Sequence, residues 1–79
     1  GRFGFGQGEK IRLTFSITRG AGLHLLESPL ASDQQVVDLE DGRLEITATV
    51  IDSAMLDWWL RGFGDAVSVT QRQPVGDPR

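Results

Sequence analysis

Hydrophobic and polar residues alternate strictly near the start of the chain. Over residues 10–17 every second side chain is apolar, which predicts a strand with one buried face. The apolar positions are Ile11, Leu13, Phe15 and Ile17.

A weak helix is expected next, over residues 18–26. Gly22, Leu25 and Leu26 have the spacing of a buried stripe, and a glycine in that stripe would let the helix approach the sheet closely. Ser28-Pro29 should end the helix, because the residue before a proline disfavours the helical conformation.

Asp41-Gly42 is the strongest turn signal in the chain and predicts a two-residue type I′ hairpin. This turn places the apolar residues of both flanking strands on one face. They are Val37, Leu39, Leu44, Ile46, Ala48 and Val50. The same pairing sets Asp38 opposite Glu45, which is unfavourable, and Arg12 on the first strand is expected to offset the two charges.

The second helix is expected after Asp52-Ser53, either of which is a good N-cap. An apolar stripe then follows at helical spacing, made of Leu56, Trp59, Leu60 and Phe63. Trp58 points roughly 200° around the helix from Leu56, and so away from the core. Gly62 and Gly64 should end the helix through a left-handed cap.

A last short strand over residues 66–70 completes the order β-α-β-β-α-β. This order predicts a ferredoxin-like α+β sandwich, with two helices on one face of a four-stranded antiparallel sheet in the order 4-1-3-2. Residues 1–8 are interpreted as a glycine-rich entry linker, residues 9–72 as a single domain and residues 73–79 as a flexible tail.

Composition narrows the classes of function. The chain has no cysteine and carries 8 basic against 11 acidic residues, a net charge of −3. Domains that bind nucleic acid through its phosphates usually have a basic stripe, so a stand-alone DNA- or RNA-binding module is not expected. No apolar run approaches the length of about 18 residues that a membrane helix needs, and a cytoplasmic location is predicted.

The helix-free face of the predicted sheet is polar and almost without aromatic residues. It is expected to carry Arg12, Thr14, Ser16, Val36, Asp38, Glu45, Thr47, Thr49, Ser68 and Thr70. An RNA-recognition motif stacks bases on aromatic residues of this face, so that function is disfavoured.

Catalysis is not expected either. The chain has no asparagine, cysteine or tyrosine, and its one histidine, His24, is interpreted as a surface residue. No catalytic residue, metal site or cofactor is predicted. An ACT-like domain that senses a small molecule such as an amino acid is a possible alternative function, since "TRGAG" at 18–22 resembles its first glycine turn.

Three stretches of the chain carry a resemblance to a known family. They are "GRFGFGQGEKIRLTFS", "LHLLESPLASDQ" and "DGRLEITATVIDSAMLDWWLRGFGDAV". The most specific parts are 27–30 with Asp33-Gln34, then Asp41-Gly42, and finally 59–67. In this order and spacing they resemble the C-terminal extension, or WCX domain, of WYL-domain transcriptional regulators. The similarity covers residues 1–72.

The resemblance implies a larger bacterial regulator that acts as a homodimer. Its N-terminal winged helix would read DNA, a central WYL domain would follow, and this module would contribute to oligomerisation and to the response to a nucleic-acid or small-molecule effector.

Three side chains are candidates for contacts in that regulator. Arg12 is either a structural partner of the acidic pair or a contact for an anionic effector. Arg61 either forms a helical ion pair with Asp57 or lies at the junction with the WYL domain and its ligand. Trp58 either anchors an interface or is covered by residues of its own chain, in the tail or around Phe3 and Phe5.

Overall fold

The computed structural model describes residues 9–75, and the interpretations of residues 1–8 and 76–79 lie outside them. The described chain contains strand β1 (Lys10–Ile17), helix α1 (Arg19–Glu27), strands β2 (Gln35–Asp38) and β3 (Leu44–Ile51), helix α2 (Ala54–Arg61), a 3-10 turn (Gly64–Ala66) and strand β4 (Val67–Pro74). The strands form one antiparallel sheet in the order β2-β3-β1-β4. This confirms the predicted ferredoxin-like α+β fold.

The core lies between the sheet and the two helices, and the alternation of β1 and β3 supplies most of it. Residues directly opposite each other on paired strands share a face, so the apolar set of β1 meets that of β3. Phe15 lies opposite Ile46, and both are fully buried. Leu25 of α1 and Leu56 of α2 cover them from the helix side. Burial of each such side chain stabilises the fold by about 1.5–3 kcal/mol.

Helix α1 approaches the sheet through Gly22, which lies against Leu44 and Ile17. The close approach predicted at this glycine is confirmed. The predicted buried stripe is only partly correct, because Leu25 is buried whereas Leu26 is 46% exposed. Two adjacent helical residues point about 100° apart, and only Leu25 faces the sheet.

Helix α2 begins as the sequence predicts. The Oγ atom of Ser53 accepts a hydrogen bond from the backbone N–H of Leu56 at 3.2 Å, which satisfies one of the free donors of the first turn. The helix ends differently from the prediction, because its C-cap Gly62 has a φ of −62°. The left-handed glycine is Gly64, with a φ of +57°, at the start of the 3-10 turn.

The hairpin between β2 and β3 has a three-residue loop and not the predicted two-residue turn. The N–H of Gly42 donates to the carbonyl of Leu39 at 3.1 Å, and the N–H of Leu39 donates to the carbonyl of Arg43 at 2.9 Å. Gly42 has a φ of +89°, as expected for the bulge position of such a loop. The extra loop residue shifts the register by one position.

This shift corrects the predicted faces of β2. Val37, predicted to be in the core, pairs with Glu45 on the helix-free face and is 51% exposed. Val36 and Asp38, predicted to be on that face, instead pair with Ile46 and Leu44 on the helix side. The predicted Asp38–Glu45 pair is therefore wrong, since a one-residue slip moves each β2 side chain to the opposite face.

The predicted role of Arg12 beside that acidic pair is also wrong. Asp38 is ion-paired with Arg19 at the start of α1, and Glu45 lies opposite Ser16 at the far end of β1 from Arg12. Arg12 forms an ion pair with Asp33, with 3.6 Å between Nη1 and Oδ2.

Strand β4 is longer than the predicted strand over residues 66–70 and contains a bulge. Its register against β1 shifts between Thr14 and Phe15, where Thr70 is the extra residue. Beyond the bulge Arg72 lies opposite Leu13, and therefore on the face that carries the helices. The bulge thus directs an arginine toward α2.

Candidate interaction site at helix α2

An open groove of about 590 Å³ lies beside the C-terminal end of α2. It is lined by Trp58, Trp59, Arg61, Gly62 and Phe63. The lining therefore consists of three aromatic residues, one arginine and one glycine. These groups offer apolar contact, ring stacking and one positive charge to whatever binds there.

Trp59 lines the groove and also packs against the core. Its ring meets Phe15 edge-on, with 6.2 Å between the ring centroids. On its other side it meets Phe63 edge-on at 4.8 Å. Both distances lie in the favourable range for aromatic pairs, so one wall of the groove is fixed by the packing of the domain.

Trp58 is 75% exposed, which confirms the prediction that it points away from the core. Arg61 follows it by three positions on α2, a spacing that places two side chains close together on a helix surface. In the sequence Trp58 and Arg61 are two separate candidates. In the structure both residues line the same groove.

The predicted ion pair between Asp57 and Arg61 is wrong. Oδ1 of Asp57 is 2.9 Å from Nη1 of Arg72, and Nη2 of Arg72 contacts Asp52. The hydrogen bond to Asp52, and then the one to Asp57, raise the pKa of Arg72 above its ordinary value. Within residues 9–75, Arg61 has no ion-pair partner within 4.0 Å.

Arg12 does not belong to this groove, because it lies on the helix-free face of the sheet. Its partner Asp33 also accepts a hydrogen bond from the backbone N–H of Thr49 at 3.0 Å. Hydrogen bonds from the side chain and the backbone of Thr49, helped by the charge of Arg12, lower the pKa of Asp33 below its ordinary value. Asp33 thus fastens the loop after α1 to the edge of β3, beyond the end of the short strand β2.

A family model described as the WCX domain matches residues 9–75. The chain belongs to the WCX domain family. No curated protein and no solved structure gives a significant match to it. The resemblance inferred from the sequence is confirmed, and WCX is a domain associated with regulation.

The described part of this WCX domain shows no cluster of histidine, cysteine or acidic side chains that could hold a metal ion. In the same residues, neither helix combines the length and apolarity that a bilayer-spanning helix requires.

The sequence pattern does not indicate the place of Phe63 in the groove or the ion pairs of Arg72 with α2 and its start. The helical spacing of Phe63 predicts only a place in the core stripe, yet Phe63 is half-buried and lines the groove. Arg72 lies outside the predicted last strand, yet it forms ion pairs with Asp52 and Asp57 near the start of α2. No local signal pointed to Arg72.

Proposed function

We propose that this WCX domain is a non-catalytic regulatory module at the C-terminus of a WYL-type helix-turn-helix transcriptional regulator. It contributes there to homodimer formation and to the response to a nucleic-acid or small-molecule effector. The regulator is cytoplasmic and contacts DNA through its winged helix. The groove on α2 is the contact surface of the WCX domain, and it faces the WYL domain or a second copy.

The observation that carries this proposal is the exposure of Trp58 beside Arg61. Tryptophan and arginine, together with tyrosine, are enriched among the side chains that dominate binding energy at interfaces. Trp58 is 75% exposed, so a large apolar area of its ring lies in water. Contact with a partner would bury that area, which is favourable.

The two edge strands of the sheet are poorly suited to pairing with a strand of a partner, which favours the groove as the contact surface. β2 has only four residues, while β4 contains a bulge at Thr70 and ends at Pro74. Short edge strands, bulges and prolines all disfavour the addition of another strand. The helix side is therefore the better surface for a partner.

The same groove favours Arg61 over Arg12 as the contact for an anionic effector. The guanidinium of Arg12 already has Asp33 as its partner, whereas Arg61 lies among aromatic rings in the groove. An effector that has both an aromatic ring and an anionic group would stack its ring on an indole and pair its anion with the guanidinium.

The test uses the intact regulator with Trp58→Ala and Arg61→Ala. Met55→Ala is the matched control, because Met55 lies on the same helix, is also 75% exposed and is outside the groove. We expect Trp58→Ala to weaken association, measured as a lower sedimentation coefficient at a fixed concentration. We expect Arg61→Ala to reduce effector binding, measured by titration, and Met55→Ala to change neither. Normal association and normal effector binding in both groove variants would exclude the groove as the contact surface.

The glycines at 18–22 suggest an alternative function, ACT-like sensing of an amino acid. Gly22 lies inside α1 and its neighbours are Leu44 and Ile17, so packing accounts for that glycine. Titration of the isolated domain with amino acids, followed by NMR, tests the alternative. Saturable shifts confined to the start of α1 would favour it.

A further inference from the structure

Helix α1 leaves two leucines in water. Leu23 is 50% exposed and Leu26 is 46% exposed, and their i, i+3 spacing makes them neighbours on the helix surface. Leu26 also lines an open groove of about 530 Å³ together with Val36 of the edge strand β2, and Val36 is itself exposed. The apolar surface therefore continues from α1 onto β2, and it shares no residue with the groove on α2.

Charged residues flank these leucines at the two ends of α1. Arg19 is the first residue of the helix and Glu27 is the last, and both are exposed. At about 3.6 residues per turn, the two charges and the two leucines fall within an arc of about 100° around the helix. The α1 face consists of these four residues, Arg19, Leu23, Leu26 and Glu27.

The two charges of the α1 face are placed against the helix dipole. The N-terminal end of a helix carries a partial positive charge and the C-terminal end a partial negative charge. Helix α1 nevertheless begins with Arg19, has no acidic residue in its first turn and ends with Glu27. The dipole of α1 therefore disfavours both charges.

The folded domain offsets only one of these two charges. Arg19 is ion-paired with Asp38 of β2. Among the residues that the structure describes, Glu27 has no ion-pair partner within 4.0 Å. Arg19 and Glu27 cannot pair with each other, because a helix rises about 1.5 Å per residue and they lie about 12 Å apart along its axis.

A second copy of α1, packed antiparallel to the first, would offset both charges. In a twofold pair the same surface of each copy contacts the other. If Leu23 lies at the twofold axis, Arg19 of one copy lies opposite Glu27 of the other, because the two residues are equally far from Leu23 along α1. Each arginine then approaches the negative end of the partner helix, and each glutamate approaches the positive end.

The own-chain partner of Arg19 does not prevent this contact. A guanidinium has five N–H donors, so Arg19 can keep its bond to Asp38 and also bind Glu27 of the second copy. The leucines of the two copies would bury each other between the charged ends, which is favourable.

We propose that the α1 face joins two copies of this WCX domain through an antiparallel pair of α1 helices. This inference rests on the function proposed above and gives the homodimer a contact surface on α1. The groove on α2 stays free for its own contact, since the two surfaces share no residue. A pair of nine-residue helices makes a small interface, so we expect the isolated chain to associate weakly, with a Kd of about 0.1–1 mM.

The test uses the whole 79-residue chain and two variants with opposite changes of charge, Arg19→Glu and Glu27→Arg. In a pair of identical variant chains, like charges meet twice across the twofold axis. We therefore expect each variant alone to associate at least about tenfold more weakly than the unaltered chain. In an equimolar mixture every glutamate meets an arginine again, so the mixture should recover the association. Sedimentation equilibrium over a concentration series measures all three samples.

A second pair of variants tests the apolar centre of the α1 face. Leu23→Asp brings two carboxylates together at the twofold axis and should abolish the association. Met55→Asp is the matched control, because Met55 is an exposed apolar residue of α2 that lies outside both surfaces, and it should leave the association unchanged. Circular dichroism checks that each variant keeps the fold.

An unaltered chain that stays monomeric up to about 1 mM would overturn the proposal. A mixture of the two charge variants that associates no better than either variant alone would also overturn it, because the charges would then not meet across the interface. Failure of this inference is distinct from failure of the proposed function. The latter is decided by Trp58→Ala and Arg61→Ala in the intact regulator, and the former by the α1 variants in the isolated chain.

Discussion

A Cβ atom on Gly22 would lie 2.9 Å from Cδ1 of Leu44. It would also lie 3.0 Å from Cγ2 of Ile17, so one extra methyl group on α1 would press against both central strands. We expect Gly22→Ala to lower the free energy of unfolding by about 1–3 kcal/mol, the usual cost of overpacking a core. Urea denaturation followed by circular dichroism measures the change.

Gly20→Ala is the matched control on the same helix, because a Cβ there would have no atom within 4 Å. Alanine is the better helix former, so this variant should gain up to about 1 kcal/mol. If both variants are stabilised, α1 does not approach the sheet as closely as the structure shows.

Arg72 fastens the end of β4 to the start of α2. We expect Arg72→Gln to lower the free energy of unfolding by about 0.5–1 kcal/mol, because the guanidinium and both carboxylates are partly exposed and such pairs contribute little. The loss should shrink as salt rises to about 1 M, where charges are screened within about 3 Å. Arg61→Gln is the control, and a similar salt-dependent loss in that variant would contradict the assignment.

Asp33 should make stability depend on pH in the acid range. Its pKa in the folded domain lies below the ordinary value of 3.8, chiefly because of hydrogen bonds from Thr49. Asp33 therefore binds a proton more readily in the unfolded chain than in the folded domain. The stabilisation by ionised Asp33 is fully present above about pH 4 and is lost as the pH falls through the pKa of the folded state. The urea midpoint of Asp33→Asn, compared with that of the unaltered chain, should be lower near neutral pH and equal to it at the acid end. Ser32→Ala, in the same loop, should show a difference that does not vary with pH.

Trp59 and Trp58 should differ sharply in their effect on stability. Trp59→Ala removes the edge-on contacts with Phe15 and Phe63. We expect it to lower the free energy of unfolding by about 3 kcal/mol, the lower end of the range for tryptophan-to-alanine substitutions in a core. The lower end applies because Trp59 is only half-buried. Trp58→Ala should cost less than about 1 kcal/mol, since its ring is 75% exposed. Thermal unfolding of both variants checks this order, and equal losses would show that Trp58 also belongs to the core.

The order of elements and the buried faces of β1 and β3 could be predicted because they depend on local periodicity. Side chains two apart on a strand share a face whatever the strand pairs with. The N-cap at Ser53 and the outward direction of Trp58 also depend only on residues close by in the sequence. The family could also be predicted, since its motifs are stretches of sequence.

The register of the hairpin, the ion pairs and the composition of the groove could not be predicted. Each depends on which residues meet after the chain has folded. Because the loop at Gly42 has one residue more than predicted, Asp38 pairs with Arg19 and does not lie opposite Glu45. Because Thr70 is an extra residue in β4, Arg72 faces the helices and contacts Asp57. The sequence by itself determined the elements and their apolar faces, because these follow from the repeat of a single strand or helix. The tertiary structure alone decided the partners of the charged side chains and brought Phe63 and Arg61 together beside Trp58, because a one-residue shift in strand pairing moves every side chain of the shifted segment to the opposite face.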